Sequence, residues 1–143
     1  MEIIKSDDNS FKYIDEKIIV NTNFPFNSDI KSKIRDELYK DQAKSKITPL
    51  VYKWEDIMKL KSTAIKYRKT KRQWGSCSSK NNISLNTYLC LLPVDIIEYV
   101  IVHELSHIVH KNHSKDFWSL VESYLPNYKD LRLELKKYSI FLK

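Results

Sequence analysis

The pattern of apolar and polar positions along the chain predicts a mostly helical protein. Apolar residues recur at helical spacing over about 29–44, 49–60, 94–110, 114–124 and 127–138. Ser28 and Ser114 are suitable N-caps for the first and fourth of these helices, and Pro49 fits the first turn of the second. The apolar positions expected to face the core in the first two helices are Ile30, Ile34, Leu38, Tyr52, Ile57 and Leu60.

The segment 94–110 is distinctive because apolar residues cover nearly the whole circumference of the predicted helix. Val94 and Val109 extend this apolar surface to its two ends. A helix that is apolar on all sides is typically buried. We therefore expect this helix to form the centre of the core.

Short runs of β-branched and aromatic residues predict two pairs of strands. Residues 11–13 and 17–20 favour a small hairpin, and residues 63–68 and 82–87 alternate as strands do. The stretch 70–79 between the second pair is a polar loop that contains the only glycine, Gly75. That glycine indicates either a positive φ or a close approach of another group. The predicted fold class is thus α+β, with a small sheet.

Composition narrows the class of protein without naming a function. The chain has 143 residues and a net charge of +7, which suits one globular domain with 1–28 as a short strand and loop region and 29–143 as its main body. No apolar run is long enough to span a membrane, and the N-terminus lacks a signal-peptide pattern. Two cysteines, Cys77 and Cys90, are too few for a disulfide framework, so we expect free thiols in the cytoplasm.

A metal-binding pattern lies within the apolar helix. His103, Glu104 and His107 form the sequence H-E-x-x-H. Two histidines four residues apart lie on one face of a helix and can reach a single ion, for which zinc is favoured. The glutamate between them can accept a proton from an attacking water and transfer it to the leaving amine. Burying these three polar residues without partners or a metal would be costly.

A third ligand is needed, and we expect it after the helix ends. His110 is seven residues from His103, about 10 Å along the helix axis, which is too far for one ion. His113 is favoured, because Asn112 can adopt the left-handed conformation that ends a helix and turns the chain back. Glu122, in the next helix, is the alternative.

Several separated motifs resemble the YgjP-type metallopeptidase domain, a zincin related to the SprT-like domain. They are Trp74-Gly75-Ser76-Cys77-Ser78, Ile83-Ser84-Leu85-Asn86, Leu92-Pro93, the run from Tyr99 to His107, Asn112-His113-Ser114 and Phe117-Trp118. The resemblance implies a zincin-like peptidase fold over most of the chain, one zinc ion on His103, His107 and His113, and Glu104 as general base. Two features depart from the family pattern, namely a shorter N-terminal part and Glu98 in place of an aspartate.

Other residues are candidates for the surroundings of the site. Asp116 and Glu122 could accept hydrogen bonds from the metal-binding histidines, and the resemblance suggests that Trp74 and its loop pack beside them. Cys77 is either a further metal contact or an ordinary loop thiol. The strand 83–86 is a candidate edge strand for an extended substrate. Stabilisation of the reaction's oxyanion needs a donor, for which Tyr99, Tyr124 and Tyr128 are candidates.

The expected function is therefore zinc-dependent peptide hydrolysis on an unknown protein or peptide substrate. Three alternatives remain. They are a nucleic-acid-associated module with a structural zinc, a DNA-linked protein protease of SprT-like type, and an inactive zincin. The nucleic-acid alternative depends on a basic stretch, which could also be a solvated surface. That stretch contains Lys59, Lys61, Lys66, Arg68, Lys69, Lys71 and Arg72.

Overall fold

The computed structural model describes residues 3–5, 11–14, 17–20 and 28–139. They fall into two compact units, residues 1–39 and 40–143. The sequence also predicts a loop at 23–28 around Pro25. It lies outside the described residues except for Ser28, where the first helix begins. None of the helices within 28–139 combines the length and the apolar character needed to cross a membrane.

The first unit contains a three-stranded sheet and the start of a helix. Strands β2 (Phe11–Ile14) and β3 (Lys17–Val20) pair antiparallel, which confirms the predicted hairpin. A third strand that the sequence pattern did not predict, β1 (Ile3–Lys5), pairs parallel with β3 and makes it the central strand. In the helix, Leu38 is buried with Ile34 packed against it, as the spacing predicted, whereas Ile30 is 40% exposed and does not face the core as expected.

The first helix is longer than expected and passes through a proline. Helix α1 runs from Ser28 to Met58 with Pro49 inside it, so the predicted break between 44 and 49 is wrong. The helix continues because Pro49 lies on the exposed face, while a buried stripe spans it on the other face. That stripe consists of Ala43, Ile47, Val51, Trp54 and Met58.

The apolar face predicted for the second part of α1 is also wrong. Tyr52 is 60% exposed and Ile57 is 43% exposed, whereas Val51 and Trp54 are buried. Helix α1 connects to the centre of the fold through Trp54, whose Nε1 donates a hydrogen bond of 2.6 Å to Glu98 Oε2. Lys53 Nζ donates to the same carboxylate oxygen at 2.8 Å. Glu98 thus connects two helices.

The second unit contains a small mixed sheet. Strands β4 (Ala64–Arg68) and β6 (Asn82–Asn86) are parallel, and β5 (Gly75–Cys77) pairs antiparallel with β6. The order β4-β6-β5 makes β6 the central strand. The expectation that 83–86 is an edge strand beside the cleft is therefore wrong, because both sides of β6 are already paired. Part of the predicted loop 70–79 is strand β5.

The remaining elements pack around one central helix. A 3₁₀ turn (Thr87–Leu91) leads into α2 (Val94–Val109), followed by α3 (Lys115–Tyr124) and α4 (Tyr128–Lys137). Strand β5, α3 and α4 all contact α2, and Ile97, Ile101 and Leu105 are fully buried. The prediction of a buried central helix is confirmed, except that its terminal residues Val94 and Val109 are about half exposed, at 47% and 50%.

Candidate active site

Three histidine side chains converge at the C-terminal end of α2. His103 and His107 lie one turn apart on the helix, and His113 follows in the connection to α3. His113 Nε2 lies 3.1 Å from the Nε2 atom of His107 and 3.1 Å from that of His103. The three ligand atoms all lie within 4.8 Å of one another, so these residues could hold one metal ion.

The chain reaches this position through an extended residue instead of a left-handed one. His110, at the C-cap of α2, has φ −125° and ψ 106°. Among the described residues φ is positive only at Lys59 and Asn81, so the left-handed conformation expected at Asn112 is wrong. The expected N-cap of α3 is present, since the Ser114 side chain accepts a hydrogen bond of 3.3 Å from the Phe117 backbone N–H.

The backbone after α2 also determines which ring nitrogen of His107 carries the proton. His107 Nδ1 lies 2.9 Å from the carbonyl oxygen of His110. A carbonyl can only accept a hydrogen bond, so Nδ1 carries the proton and Nε2 presents a free lone pair to the other histidines. The side chain of His110 takes no part in the cluster, in agreement with its distance along the helix.

Aromatic rings enclose the cluster on the side of α3. Phe117 stacks on His107 at a centroid distance of 4.4 Å, and Trp118 stacks on His113 at 5.8 Å. Burial, with a further contribution from the neighbouring His107 and His113, lowers the pKa of His103 to about 3. Burial and the neighbouring His107 also lower the pKa of His113. Both imidazoles are therefore neutral near pH 7, the state in which they coordinate metals.

The cluster fits a metal ion better than it fits internal hydrogen bonding. His113 Nε2 faces two other nitrogens at 3.1 Å, but an imidazole nitrogen has one in-plane site and cannot bond to both. Three nitrogens bound to one tetrahedral zinc at about 2.0–2.1 Å would be about 3.3 Å apart. The two spacings to His113 Nε2 are close to this value, and all three ligand atoms lie within 4.8 Å of one another. The donor set therefore suits a divalent metal of the kind that imidazole prefers.

Glu104 lies beside this cluster and is buried. Its side chain is 6% exposed, and burial raises its pKa to about 8. The backbone of Gly75 in β5 lies directly against it, since a Cβ at this position would be 3.1 Å from both Cγ and Oε2 of Glu104. Gly75 does not have a positive φ, so close approach is the reason for the only glycine.

A cleft of about 580 Å³ opens over Glu104 and the three histidines. Trp74, Cys77 and Tyr99 line it, together with the whole of β5. Cys77 Sγ is not part of the histidine cluster, and its pKa is raised by burial, which keeps it a thiol. Asp116 and Glu122 are exposed and belong neither to the cluster nor to the cleft lining. The outer hydrogen bond of His107 goes to a backbone carbonyl instead of to either carboxylate.

Tyr99 is the only one of the three proposed tyrosine donors that reaches the cleft. Its ring lies 5.9 Å from that of His103, and burial raises its pKa to about 12, so it remains a hydroxyl donor. Tyr124 packs edge-on against Trp54, and Tyr128 stacks on Trp118. Neither of those two lines the cleft.

The loop before β5 is held by one buried side chain that the sequence did not single out for this role. Asn86 Nδ2 donates to the carbonyl oxygens of Thr70 at 2.8 Å and Gln73 at 3.1 Å. Its Oδ1 accepts from the Tyr88 backbone N–H at 3.0 Å. Asn86 thereby fixes the segment that brings Arg72, Gln73 and Trp74 to the cleft.

Basic residues line the cleft as well, and most were not predicted to be there. Arg132 and Lys136 come from α4, and Lys111 comes from the connection after α2. Arg72 was part of the predicted basic stretch. The one available sequence signal was the spacing of Arg132 and Lys136, four residues apart and hence on one helix face.

The fold is that of small metallopeptidases. The crystal structure of the metallopeptidase zymogen abylysin of Pyrococcus abyssi superimposes with a TM-score of 0.59 at 22% identity, covering 64% of this chain and 93% of that chain. The metallopeptidase zymogen jannalysin of Methanocaldococcus jannaschii gives a TM-score of 0.58 at 23% identity, covering 64% of this chain and 95% of that chain. These likenesses confirm the predicted α+β metallopeptidase fold.

The family is shown by the sequence itself. The family described as YgjP-like, metallopeptidase domain, matches residues 1–138, so the chain belongs to it. No curated protein matches the sequence significantly. The predicted family and the predicted hydrolase class are confirmed, and the family implies a metal ion, for which three histidines are in place.

Proposed function

We propose that the protein is a zinc-dependent peptidase in which His103, His107 and His113 hold the ion and Glu104 is the general base. The observation that carries this proposal is the convergence of three histidine ligand atoms, all within 4.8 Å of one another, beside a buried carboxyl group. Zinc bound by three histidines keeps an open position, where it would polarise the scissile carbonyl and activate water.

Glu104 would move the proton during hydrolysis. Its burial raises the pKa. A divalent ion bound beside it would lower the pKa again, so that the carboxylate could accept a proton and then release it near neutral pH. Glu104 would accept a proton from the attacking water and deliver it to the leaving amine. Gly75 leaves the space that the carboxyl group occupies. Tyr99 would donate a hydrogen bond toward the developing oxyanion.

Strand β5 would hold the substrate backbone. It lines the cleft, and among the described strands it pairs only with β6, which makes it an edge strand. An extended peptide can add to such an edge through main-chain hydrogen bonds. This role replaces the one expected for the strand 83–86, which is the centre of the sheet.

The first experiment is the metal content of untagged, dialysed protein, compared between wild type, Glu104→Gln and His113→Ala. We expect about one zinc per chain in wild type and in Glu104→Gln, and much less in His113→Ala. On peptide substrates Glu104→Gln should lose activity by about 10²–10⁴-fold, the usual contribution of a general base. Wild-type turnover in Glu104→Gln, or equal zinc content in all three proteins, would contradict the proposal.

A second candidate function is nucleic-acid binding, and one observation favours it. A separate groove between α1 and β4 is lined by basic residues, and its carboxylate, Glu55, is engaged by the Ser62 backbone N–H and hydroxyl, both at 2.7 Å. The exposed ring of Tyr52 offers a surface for stacking a base. The basic residues of the groove are Lys40, Lys44, Lys61, Lys66 and Arg68.

Binding to labelled single-stranded DNA across a range of salt concentrations tests this second function. A polyanion site predicts affinity that falls steeply with salt and weakens in Lys44→Glu. Strong binding together with no hydrolysis of any peptide would favour a binding module over an enzyme. Absence of binding at low salt would exclude it.

We further propose a cytoplasmic location. Cys77 is a free thiol, and thiols persist in reducing compartments. Fractionation of cells that express the full protein tests this, and recovery in a membrane or extracellular fraction would contradict it.

A further inference from the structure

We infer that the cleft binds a carboxylate group of its substrate through Arg132, supported by Lys136, so that the enzyme selects acidic peptides. This inference rests on the proposed peptidase function and adds the substrate class to it. The observations that carry it are the fixed position of Arg132 next to the histidine cluster and the distribution of charge around the cleft.

Arg132 is held in place by the aromatic residues that enclose the site. Its guanidinium lies 4.9 Å from the centroid of the Trp118 ring, a cation–π contact. Trp118 in turn stacks on His113 at 5.8 Å and on Tyr128 at 5.3 Å. Arg132 therefore contacts the same ring that supports one of the proposed ligands, yet its side chain remains exposed and lines the cleft.

Arg132 and the histidine cluster belong to the same cleft. The side chain of Arg132 lines it together with His103, His113 and Tyr99. A carboxylate bound to Arg132 would therefore lie near the point where a scissile bond would be bound.

The charges that line the cleft are strongly unbalanced. Among the described residues of the lining, Glu104 is the one carboxylate, and four side chains are cationic. Lys111 is positioned on the strand side, where its Nζ donates to Ser78 O at 3.3 Å and to Asn81 Oδ1. Such a field attracts acidic peptides and repels basic ones. The four cationic residues are Arg72, Lys111, Arg132 and Lys136.

Arginine is suited to bind a carboxylate in a defined orientation. Its planar guanidinium offers paired donors that match the two carboxylate oxygens, whereas lysine acts as a point charge. Lys136 is four residues further along α4 and lines the same cleft, so it adds charge on the same face. The carboxylate could be an aspartate or glutamate side chain, or the C-terminal carboxylate of the substrate.

The test uses quenched fluorescent peptides built around a cleavage site first mapped by mass spectrometry. One flanking residue is Glu, Gln or Lys, and each peptide is made with a free or an amidated C-terminus. We expect kcat/KM to be about 30-fold higher for Glu than for Lys, as for a charge-assisted hydrogen bond, and to converge at high salt. A preference that depends on the free C-terminus identifies the terminal carboxylate as the group bound.

Substitution then assigns the preference to Arg132. In Arg132→Gln the ratio of kcat/KM for the Glu peptide to that for the Gln peptide should fall toward one. The ratio is taken within one variant, so a general loss of activity cancels. Lys129→Gln is the matched control, because Lys129 is exposed on the same helix and does not line the cleft. An equal loss in both variants would show a general charge effect and overturn the assignment to Arg132.

The affinity of the peptides for the Glu104→Gln protein tests the carboxylate site independently of the proposed peptidase activity. If no peptide is hydrolysed by wild type, the peptidase function fails, and the affinities of the same peptides for the Glu104→Gln protein still decide the inference. Tighter binding of the Glu peptide that is lost in Arg132→Gln supports a carboxylate site. Equal affinity for the Glu, Gln and Lys peptides overturns it.

Discussion

Gly75 and Glu104 are in direct contact across the interface between strand β5 and helix α2. A methyl group on Gly75 would lie 3.1 Å from Glu104 Cγ and Oε2 and 3.2 Å from Leu85 Cδ2. These distances are tighter than ordinary van der Waals contact, so the Glu104 side chain has its position because residue 75 has no side chain. Gly75, the only glycine of the chain, thus belongs to the site because its missing side chain leaves room for the Glu104 carboxyl group.

We therefore expect Gly75→Ala to impair catalysis without removing the metal. The added methyl must displace the Glu104 carboxyl group by a few tenths of an ångström, and small misplacements of this kind lower kcat by roughly tenfold or more. Zinc content should remain that of wild type, because the three histidines are not touched. Steady-state kinetics and elemental analysis on the same preparation measure both quantities.

The contact with Leu85 provides the control for this prediction. In the double variant Gly75→Ala with Leu85→Val, the leucine contact is relieved while the glutamate contact remains. Recovery of kcat in the double variant would assign the defect to Leu85, and full activity of Gly75→Ala alone would refute the positioning of Glu104 by this glycine.

Substitutions of His113, His110 and Glu122 should distinguish the residue that binds zinc from the two that do not. His113→Ala removes a converging nitrogen, and we expect its zinc affinity to fall by more than the roughly 100-fold typical for loss of an outer partner. His110→Gln keeps the backbone carbonyl that contacts His107, and Glu122→Gln changes an exposed residue, so both should retain affinity. Competition with a zinc chelator measures the three affinities. Weak binding by Glu122→Gln with normal binding by His113→Ala would reverse the assignment.

Asn86→Asp should destabilise the loop that carries Arg72 and Trp74. The substitution keeps the acceptor for Tyr88 N–H but replaces the donor that serves the carbonyls of Thr70 and Gln73 with an oxygen. Because Asn86 is 1% exposed, the unpaired groups stay buried, and we expect the free energy of unfolding to fall by about 3 kcal/mol. Urea denaturation measures the change, with the exposed substitution Asn127→Asp as the control. Equal stability of the two variants would contradict the role of Asn86.

Pro49→Ala should stabilise the protein without affecting the site. Proline inside a helix cannot donate a hydrogen bond to the carbonyl four residues earlier, that of Ser45, and alanine can. Pro49 is exposed, so no core packing is lost. We expect an increase of about 1–3 kcal/mol in the free energy of unfolding, measured with urea, and unchanged zinc content. A decrease would indicate that the proline is needed in α1 for another reason.

The sequence by itself determined the local features of the site. The four-residue spacing of His103 and His107 places both on one helix face, and the apolar pattern around them predicts the buried helix that the structure contains. Ser114 predicts where α3 begins for a similarly local reason, since a capping side chain bonds to the backbone three residues later. These features depend on neighbours in sequence, so periodicity and capping rules recover them.

Only the tertiary structure decided which distant residues meet. Strand order makes β5 the edge beside the cleft, and the buried stripe on α1 carries the helix through Pro49. The contact of Gly75 with Glu104 and the position of Arg132 on Trp118 join residues from separate elements. Such contacts depend on how whole helices and strands pack against one another. The sequence next to each residue therefore does not indicate which distant residue it will contact. For this protein the proposed catalytic motif is a local property of the chain, whereas the shape and charge of the cleft around it are not.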